Sequence, residues 1–201
     1  DEFVIILPET GKADADTFVK RVIQALEGLQ EKLTVTAGIA AAVRRYGRLD
    51  ILVCNAGVNV KKPAIDFTPA EFDTVIGGNL RSYFLCAQAA ARQFIAQGTG
   101  GVIVMNSSNA SVAAFEDLTP YCAAKGGIDM LVRGLASEWG PHGIRVNIVA
   151  PGLVETDMGV RLARAMTGRR EMEDLRSMDE AAPFGRVCQP EDIAAAVLWF
   201  C

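Results

Sequence analysis

Residues 50–57 read Asp-Ile-Leu-Val-Cys-Asn-Ala-Gly, a hydrophobic run that stops at a polar residue and a glycine. A run of this kind, without polar alternation, is typical of a strand that is buried on both faces of a parallel sheet. Residues 101–107 and 144–150 predict two further strands, and helical segments separate the three. This alternation predicts an α/β fold with a doubly wound parallel sheet of the Rossmann-like type.

The helical segments are predicted from apolar periodicity and from their end signals. They cover residues 39–46, 68–97 and 121–139, and residues 2–7 and 17–32 predict a strand and a helix ahead of them. The second helix opens with Thr-Pro-Ala-Glu, in which a threonine cap, an early proline and a glutamate three residues after the cap mark a helix N-terminus. No linker divides the chain, so we expect one domain over all 201 residues.

The composition excludes several classes of function. Half of the residues are hydrophobic and the formal net charge is −4, which argues against a nucleic-acid-binding protein. The longest apolar runs are too short to span a bilayer, so we expect no membrane partner and a cytoplasmic location. Five cysteines form no Cys-x-x-Cys pair, which favours reduced, packed thiols. The single histidine, His142, lies in a Gly-Pro-His-Gly turn, where a surface position is expected rather than a metal ligand or a base.

Tyr121 and Lys125 point most directly to chemistry. They lie four residues apart at the start of a predicted helix, so both project from one helix face. A phenol is a poor base at neutral pH, but a neighbouring ammonium favours the phenolate and lowers the pKa of the tyrosine. Ser108, at the end of the preceding strand, is placed to donate a hydrogen bond to the same substrate oxygen. Asn79 lies within an apolar helix, which indicates either a helix irregularity that binds water or a surface residue.

Five short segments follow one another along the chain: residues 50–57, Asn79-Leu80, Ser107-Ser108, residues 121–125 (Tyr-Cys-Ala-Ala-Lys) and residues 151–156 (Pro-Gly-Leu-Val-Glu-Thr). Together they resemble the signatures of the short-chain dehydrogenase/reductase family, in a match that spans residues 39–200 and leaves residues 1–38 unmatched. The resemblance implies that Tyr121 is the acid or base and that Lys125 lowers its pKa and holds the nicotinamide ribose. It also implies that Ser108 positions the substrate oxygen and that Asn79 anchors a proton-relay water.

The same resemblance implies a nicotinamide cofactor, NAD or NADP, and a small-molecule carbonyl or alcohol substrate. Besides Tyr121 and Lys125, the residues expected to contact the cofactor are Asn55, Ala56 and Gly57 on its adenosine side, and Pro151, Gly152, Val154 and Thr156 at its carboxamide. Cys54 departs from the family, which usually has an asparagine at that place. Residues 190–194 form another family-like segment, which we expect to be structural.

The glycine-rich turn that a dinucleotide-binding sheet needs after its first strand is missing before Asn55. Residues 8–12 (Pro-Glu-Thr-Gly-Lys) contain one glycine and an acidic residue that would repel a phosphate. Because the chain also stops before the family's last strand, we expect a sheet that is incomplete at both ends. Two interpretations stay open: an active enzyme of which these residues are a part, which the complete set of catalytic residues favours, or a catalytically inactive Rossmann-like interaction or regulatory protein.

Residues 57–63 and 138–141 are similar to sugar-acid and polyol dehydrogenases of the gluconate 5-dehydrogenase kind, with 3-oxoacyl reductases as the nearest alternative. Five arginines follow in residues 157–180, in the region that folds over the substrate in this family: Arg161, Arg164, Arg169, Arg170 and Arg176. Arginine pairs with carboxylates, which predicts an acidic substrate, although a solvated helix face is the interpretation that suits most of the five.

The helix over residues 121–139 carries more apolar residues than one sheet face requires, namely Ile128, Leu131, Val132 and Leu135. Together with the helix that begins near Glu71, it predicts a homo-oligomer, either a homo-dimer or a homo-tetramer.

Overall fold

The computed structural model describes residues 4–7, 35–167, 175, 178–179 and 182–201. Among them, four strands form one sheet in the order β1 (Val4–Leu7), β2 (Ile51–Cys54), β3 (Gly101–Asn106) and β4 (Ile144–Val149). The strands β2, β3 and β4 run parallel, as predicted. β1 differs, because it pairs with β2 in the antiparallel direction at the edge of the sheet. The predicted helix over residues 17–32 lies outside the described residues.

The helices that accompany the sheet in the described part of the chain are α1 (Val35–Tyr46), α2 (Pro69–Ile76), α3 (Ser82–Gln97), α4 (Thr119–Trp139), α5 (Asp157–Thr167) and α6 (Pro190–Phe200). They cover both faces of the sheet. Successive side chains of a strand point to opposite faces, so each strand contributes to two cores. Leu52 and Ile103 point to one face and pack in a core with residues of α1, α3 and α4. Val53 and Val104 point to the other face, where Val197 of α6 covers them. The doubly wound arrangement is therefore confirmed.

A break divides the predicted helix of residues 68–97. Thr68 caps α2 through a capping box, in which its hydroxyl accepts from the main-chain N–H of Glu71 and the Glu71 carboxylate accepts from the N–H of Thr68. A π-helical turn, Gly77–Arg81, then separates α2 from α3. Single π turns inside a helix shift the hydrogen-bond pattern by one residue, and they are frequent at functional sites.

The parallel strands end at one edge of the sheet. Cys54 pairs with Met105, and Asn106 pairs with Val149, so the residues that follow each strand emerge side by side. The main-chain N–H of Asn109, after β3, donates to the carbonyl oxygen of Pro151, after β4, at 2.8 Å. Ligands bind at this carboxyl edge in open α/β sheets.

Candidate active site

The structure brings Ser108, Tyr121 and Lys125 together where the end of β3 meets α4. Ser108 is the second residue after β3, and the other two lie in the first two turns of α4. A hydrogen bond joins the side chains of Ser108 and Tyr121, and Lys125 Nζ lies 5.5 Å from the centroid of the Tyr121 ring. The predicted spacing on one helix face thus places the phenol and the ammonium next to each other.

Lys125 is an almost fully buried cation, with 3% of its surface exposed. Its Nζ donates a hydrogen bond to the carbonyl oxygen of Asn106 at 2.7 Å and lies 5.3 Å from the centroid of the Tyr83 ring. Burial lowers the pKa of Lys125 to about 8, and the nearby carboxylate of Asp129 opposes that effect. The ammonium form therefore predominates at pH 7 and is lost as the pH rises through about 8.

The expected lowering of the Tyr121 pKa is not found. Burial raises the pKa of Tyr121 above its ordinary value, and the hydrogen bond with Ser108 opposes the rise without cancelling it. The phenol of this chain is accordingly neutral at pH 7 and carries a proton that it can donate. The removal of water from the phenolate is the largest effect on this pKa.

The Ser108 hydroxyl is buried and oriented by its neighbours. Its oxygen accepts a hydrogen bond from the main-chain N–H of Ala110 at 3.1 Å, which caps the short turn Asn109–Ser111. Its hydroxyl also lies 3.2 Å from Asn109 Oδ1. These contacts hold the oxygen beside Tyr121, where both hydroxyl groups can reach one ligand oxygen.

Asn79 lies in the π-helical turn and is completely buried, so the interpretation as a surface residue is wrong and the interpretation as a helix irregularity is confirmed. Its Nδ2 donates to the carbonyl oxygens of Val58 and Val75, both at 2.7 Å. Its Oδ1 is buried and has no hydrogen-bond partner among the described residues. A Cβ built on Gly57 would lie 2.7 Å from this Oδ1 and 3.9 Å from Lys125 Nζ.

Asn55, Ala56 and Gly57 follow β2 at the same edge. Asn55 is exposed, and its Oδ1 accepts a hydrogen bond from Asn106 Nδ2 at 2.7 Å. Asn106 therefore connects the segment after β2 to Lys125, through its side chain on one side and its carbonyl oxygen on the other. Its Oδ1 is buried without a described partner.

The segment after β4 has two parts. Pro151 accepts the hydrogen bond from Asn109 and so lies beside the serine segment, with Gly152 exposed next to it. Val154 forms a parallel bridge with Cys188, and Thr156 Oγ1 accepts from an N–H of the first turn of α5. The described contacts of Val154 and Thr156 are structural, and their predicted contact with a cofactor stays a prediction.

Four residues near Lys125 and Tyr121 were missed by reasoning from sequence: Tyr83, Asn106, Ser107 and Asp129. Ser107 donates to Asp129 Oδ1 at 2.5 Å. Two signals could have indicated them. The polar run Asn106-Ser107-Ser108 ends a buried strand, and Asp129 lies four residues after Lys125 on a helix that otherwise buries apolar residues.

The apolar face expected on α4 is not exposed. Ile128, Val132 and Leu135 are buried in the core of the chain itself, and Leu131 packs against that core. Ile128, Val132 and Leu135 are therefore not available to an oligomer interface, and the prediction is wrong for these three residues. The large apolar side chain that α4 does expose is Met130, at 65%.

The arginines predicted near the substrate are described only in part. Arg161 is exposed on α5, and Arg164 is half-buried on the same helix. Arg169, Arg170 and Arg176 lie outside the described residues. Their predicted role toward a carboxylate stays a prediction.

All five cysteines are free, and two of them, Cys54 and Cys86, are buried. The surface position predicted for His142 is confirmed, because this residue is exposed in the short turn Gly140–His142. Across the described ranges, no cluster of three or more His, Cys, Asp or Glu side chains could hold a metal ion. None of the described helices combines the length and the apolar character that crossing a membrane requires.

Comparison with known proteins gives concordant matches. The family described as Enoyl-(Acyl carrier protein) reductase matches residues 28–201. The short-chain reductase protein NovJ of Streptomyces niveus is 40% identical over 168 residues, which are 82% of this chain and 62% of that protein. Gluconate 5-dehydrogenase of Gluconobacter oxydans is 33% identical over 165 residues, which are 82% of this chain and 62% of that protein.

Among solved structures, the crystal structure of carveol dehydrogenase from Mycobacterium avium in complex with NAD superposes with a TM-score of 0.75 at 31% identity. The match covers 83% of this chain and 63% of the other. The chain thus spans less than two thirds of the length of each of these three proteins.

Proposed function

The chain belongs to the short-chain dehydrogenase/reductase family, and on that premise we propose that its protein is an oxidoreductase that interconverts a carbonyl and a secondary alcohol with NAD or NADP. The observation that carries the proposal is the cluster of Ser108, Tyr121 and Lys125 at the carboxyl edge of the parallel sheet. Three residue types that suit carbonyl chemistry meet there, although Ser108 follows β3 and the other two belong to α4.

Ser108 and Tyr121 would hold the reacting oxygen. Both hydroxyl groups can donate to a carbonyl oxygen, which polarises the carbonyl and stabilises negative charge on the oxygen as it develops. Because burial keeps the Tyr121 phenol neutral at pH 7, the phenol supplies the proton that completes an alcohol in the reducing direction. In the oxidising direction the same oxygen takes the proton back.

Lys125 would stabilise the phenolate that remains after that transfer. The hydrogen bond to Asn106 already sets the position of the Lys125 ammonium. The ammonium can therefore stabilise the phenolate without the reorientation that solvent molecules would need. We expect proton donation to be efficient below pH 8 and to fail above it, as the ammonium of Lys125 loses its charge.

The residues around Lys125 fit a bound nicotinamide cofactor. Gly57 leaves open the space that a Cβ would occupy near Asn79 Oδ1 and Lys125 Nζ, and the Lys125 ammonium makes one hydrogen bond within the described part of the chain. We propose that Lys125 and Tyr121 hold the ribose, that Asn55, Ala56 and Gly57 contact the adenosine side, and that Pro151, Gly152, Val154 and Thr156 contact the carboxamide. When bound, the nicotinamide supplies or accepts the hydride.

Asn79 is proposed to support a proton-relay water. Its completely buried Oδ1 has no described partner, and a buried polar atom of this kind normally pairs with a water or a ligand. Its Nδ2 is already committed to Val58 and Val75, so the oxygen is the atom that remains available.

The mechanism is tested by removing the Tyr121 hydroxyl from the natural protein that carries this sequence. Turnover is followed by the absorbance of the reduced nicotinamide with a panel of ketones and alcohols. Tyr121→Phe should lower kcat/KM by roughly 10²- to 10⁴-fold. Tyr46→Phe is the matched control, because Tyr46 is half-exposed on α1 and should keep full activity. A fully active Tyr121→Phe variant would exclude the proposed proton donor.

The substrate is proposed to be a sugar acid or hydroxy acid, with a polyol or a 3-oxoacyl compound as the alternative. The 33% identity to a gluconate 5-dehydrogenase supports this class, as does the exposed Arg161 on the helix that follows the site. The acid should be turned over better than its uncharged analogue, and the preference should weaken at high salt. Equal kcat/KM for the two compounds would remove the argument from arginine.

The rival function, an inactive interaction or regulatory protein, rests on the missing glycine-rich turn. Residues 8–12, which follow β1, lack that motif and lie outside the described residues. Calorimetry with NADH and NADPH separates the two functions. We expect weak or no binding to the 201-residue chain alone and clear binding to the natural protein, whereas no binding to either would favour the rival.

We propose a homo-dimer or homo-tetramer whose subunits contact each other through residues other than those predicted on α4. Phe84 and Leu85 on α3 and Met130 on α4 are exposed at 38%, 37% and 65%. Light scattering at micromolar concentration measures the assembly. A strictly monomeric protein would contradict this proposal.

A further inference from the structure

Ser107 and Asp129 take no part in the chemistry proposed above, although they lie next to the groups that do. Ser107 is 3% exposed and stands between Asn106 and Ser108. Its main-chain N–H donates to Val149 at 2.8 Å, which fixes it against β4. Its hydroxyl donates to Asp129 Oδ1 at 2.5 Å, a length typical of a strong hydrogen bond to a carboxylate. The pair therefore connects the end of β3 to the third turn of α4.

The pair is one of three contacts that join α4 to the three consecutive residues at the end of β3 and just after it. Asn106 contacts Lys125, Ser107 contacts Asp129, and the next residue, Ser108, contacts Tyr121. The three contacts fix the register of α4 against β3. A shift of α4 would break all of them together.

Lys125 needs a counter-charge because it is buried. The described groups that face its ammonium are the Tyr83 ring from α3, the Tyr121 ring from its own helix and the carbonyl oxygen of Asn106 from β3. All three are uncharged. Asp129 lies one turn further along α4, and residues four apart are neighbours on a helix surface. The Ser107 hydroxyl joins the two positions, because it lies 2.5 Å from Asp129 Oδ1 and 3.4 Å from the main-chain oxygen of Lys125. The Asp129 carboxylate opposes the lowering of the Lys125 pKa that burial causes.

We propose that Asp129, held in place by Ser107, is a positioning residue that keeps the Lys125 ammonium charged and directed at Asn106. The inference deepens the proposed function, on which it rests, by naming a pair that sets the upper pH limit of catalysis. Asp129 touches neither substrate nor cofactor in this scheme and acts only through Lys125. Ser107 acts through Asp129, by holding the carboxylate in one orientation.

The direct test is a titration of Lys125 by NMR in protein that contains lysine labelled with ¹³C at Cε. Lys125→Met assigns the signal by its disappearance. Asp129→Asn removes the charge but keeps the shape, and it should lower the titration midpoint of Lys125 by about half to one pH unit. Asp129→Glu should restore most of that difference. Glu138→Gln, which removes an exposed carboxylate near the end of the same helix, is the matched control and should change nothing.

Ser107→Ala provides a second route to the same answer. It leaves the charge of Asp129 in place and should lower the Lys125 midpoint by less than Asp129→Asn does, because the carboxylate is no longer oriented. If Asp129→Asn fails to fold, Ser107→Ala still carries the test. A Lys125 midpoint that stays unchanged in folded Asp129→Asn or in folded Ser107→Ala overturns the inference.

Activity measurements separate this inference from the proposed function. The alkaline limb of the kcat/KM profile should move to lower pH in Asp129→Asn by the same amount as the NMR midpoint, with little change below pH 6. A purely structural role would instead lower activity equally at every pH, which would also overturn the inference. If the NMR midpoint moves but Tyr121→Phe keeps its activity, the proposed function fails and the electrostatic role of Asp129 stands.

Discussion

The Lys125→Met variant should gain stability over the natural protein, and this gain should be larger at neutral pH than at alkaline pH. The natural side chain carries a charge into a site with 3% exposure, and burial lowers its pKa from 10.5 to about 8. Each pKa unit corresponds to about 1.4 kcal/mol. The folded state therefore bears a cost of about 3 kcal/mol for keeping Lys125 protonated at pH 7.

The sign follows from proton binding. Between about pH 8 and 10.5 the unfolded chain binds the Lys125 proton more fully than the folded chain, so the stability of the natural protein rises with pH in that window. Below pH 8 both states are protonated and the whole cost is present. Methionine has no proton to bind. Its advantage over Lys125 should thus be largest near pH 7 and should shrink by about 3 kcal/mol by pH 10.5.

Urea denaturation of the two proteins from pH 7 to 10.5 measures this difference. All other titratable groups are shared, so their contributions cancel in the difference between the two free energies of unfolding. The loss of the hydrogen bond to Asn106 costs about 1 kcal/mol at every pH, and it leaves the Asn106 carbonyl bonded to the Tyr83 hydroxyl at 3.3 Å. A difference that stays constant with pH would refute the assignment of Lys125 as a buried cation with a lowered pKa.

Two further predictions concern stability and cofactor binding. Gly57→Ala should lower the free energy of unfolding by about 1–3 kcal/mol and weaken NADH binding, because its Cβ would lie 2.7 Å from Asn79 Oδ1. Urea denaturation measures the first effect and calorimetry the second. The control is Gly38→Ala, whose Cβ meets nothing within 4 Å and which should be neutral or stabilising. Gln97→Leu should cost about 1–3 kcal/mol in the same denaturation assay, because the Gln97 side chain bonds both main-chain polar groups of the fully buried Leu49, and unchanged stability would show that water replaces both bonds.

Local patterns predicted most of the described elements. The hydrophobic runs before Asn55 and Ser107 indicated β2 and β3, since a run without polar alternation is typical of a strand buried in the middle of a layered fold. The segment before Pro151 indicated β4, although Arg145 and Asn147 alternate there with apolar residues. The capping box of Thr68 likewise depends on four consecutive residues. Tyr121 and Lys125 share a helix face because of helix geometry alone.

Tertiary contacts decided what those patterns could not. Periodicity shows that Ile128 has an apolar face to bury, but only the packing of α3 and the sheet shows that the chain's own core covers it. In the same way, a polar residue in an apolar helix could be exposed or buried, and Asn79 is buried because the loop after β2 supplies the carbonyl oxygen of Val58.

What the sequence by itself determined was therefore the main elements of the fold and the shared helix face of Tyr121 and Lys125, because both follow from interactions between residues that are close along the chain. Only the tertiary structure decided the direction of β1, the raised pKa of Tyr121 and the pairing of Ser107 with Asp129. Each of these depends on how much water is excluded and on which distant residue arrives as a neighbour. Electrostatic effects in particular change sign with burial, and no local pattern records how deeply a side chain will be buried.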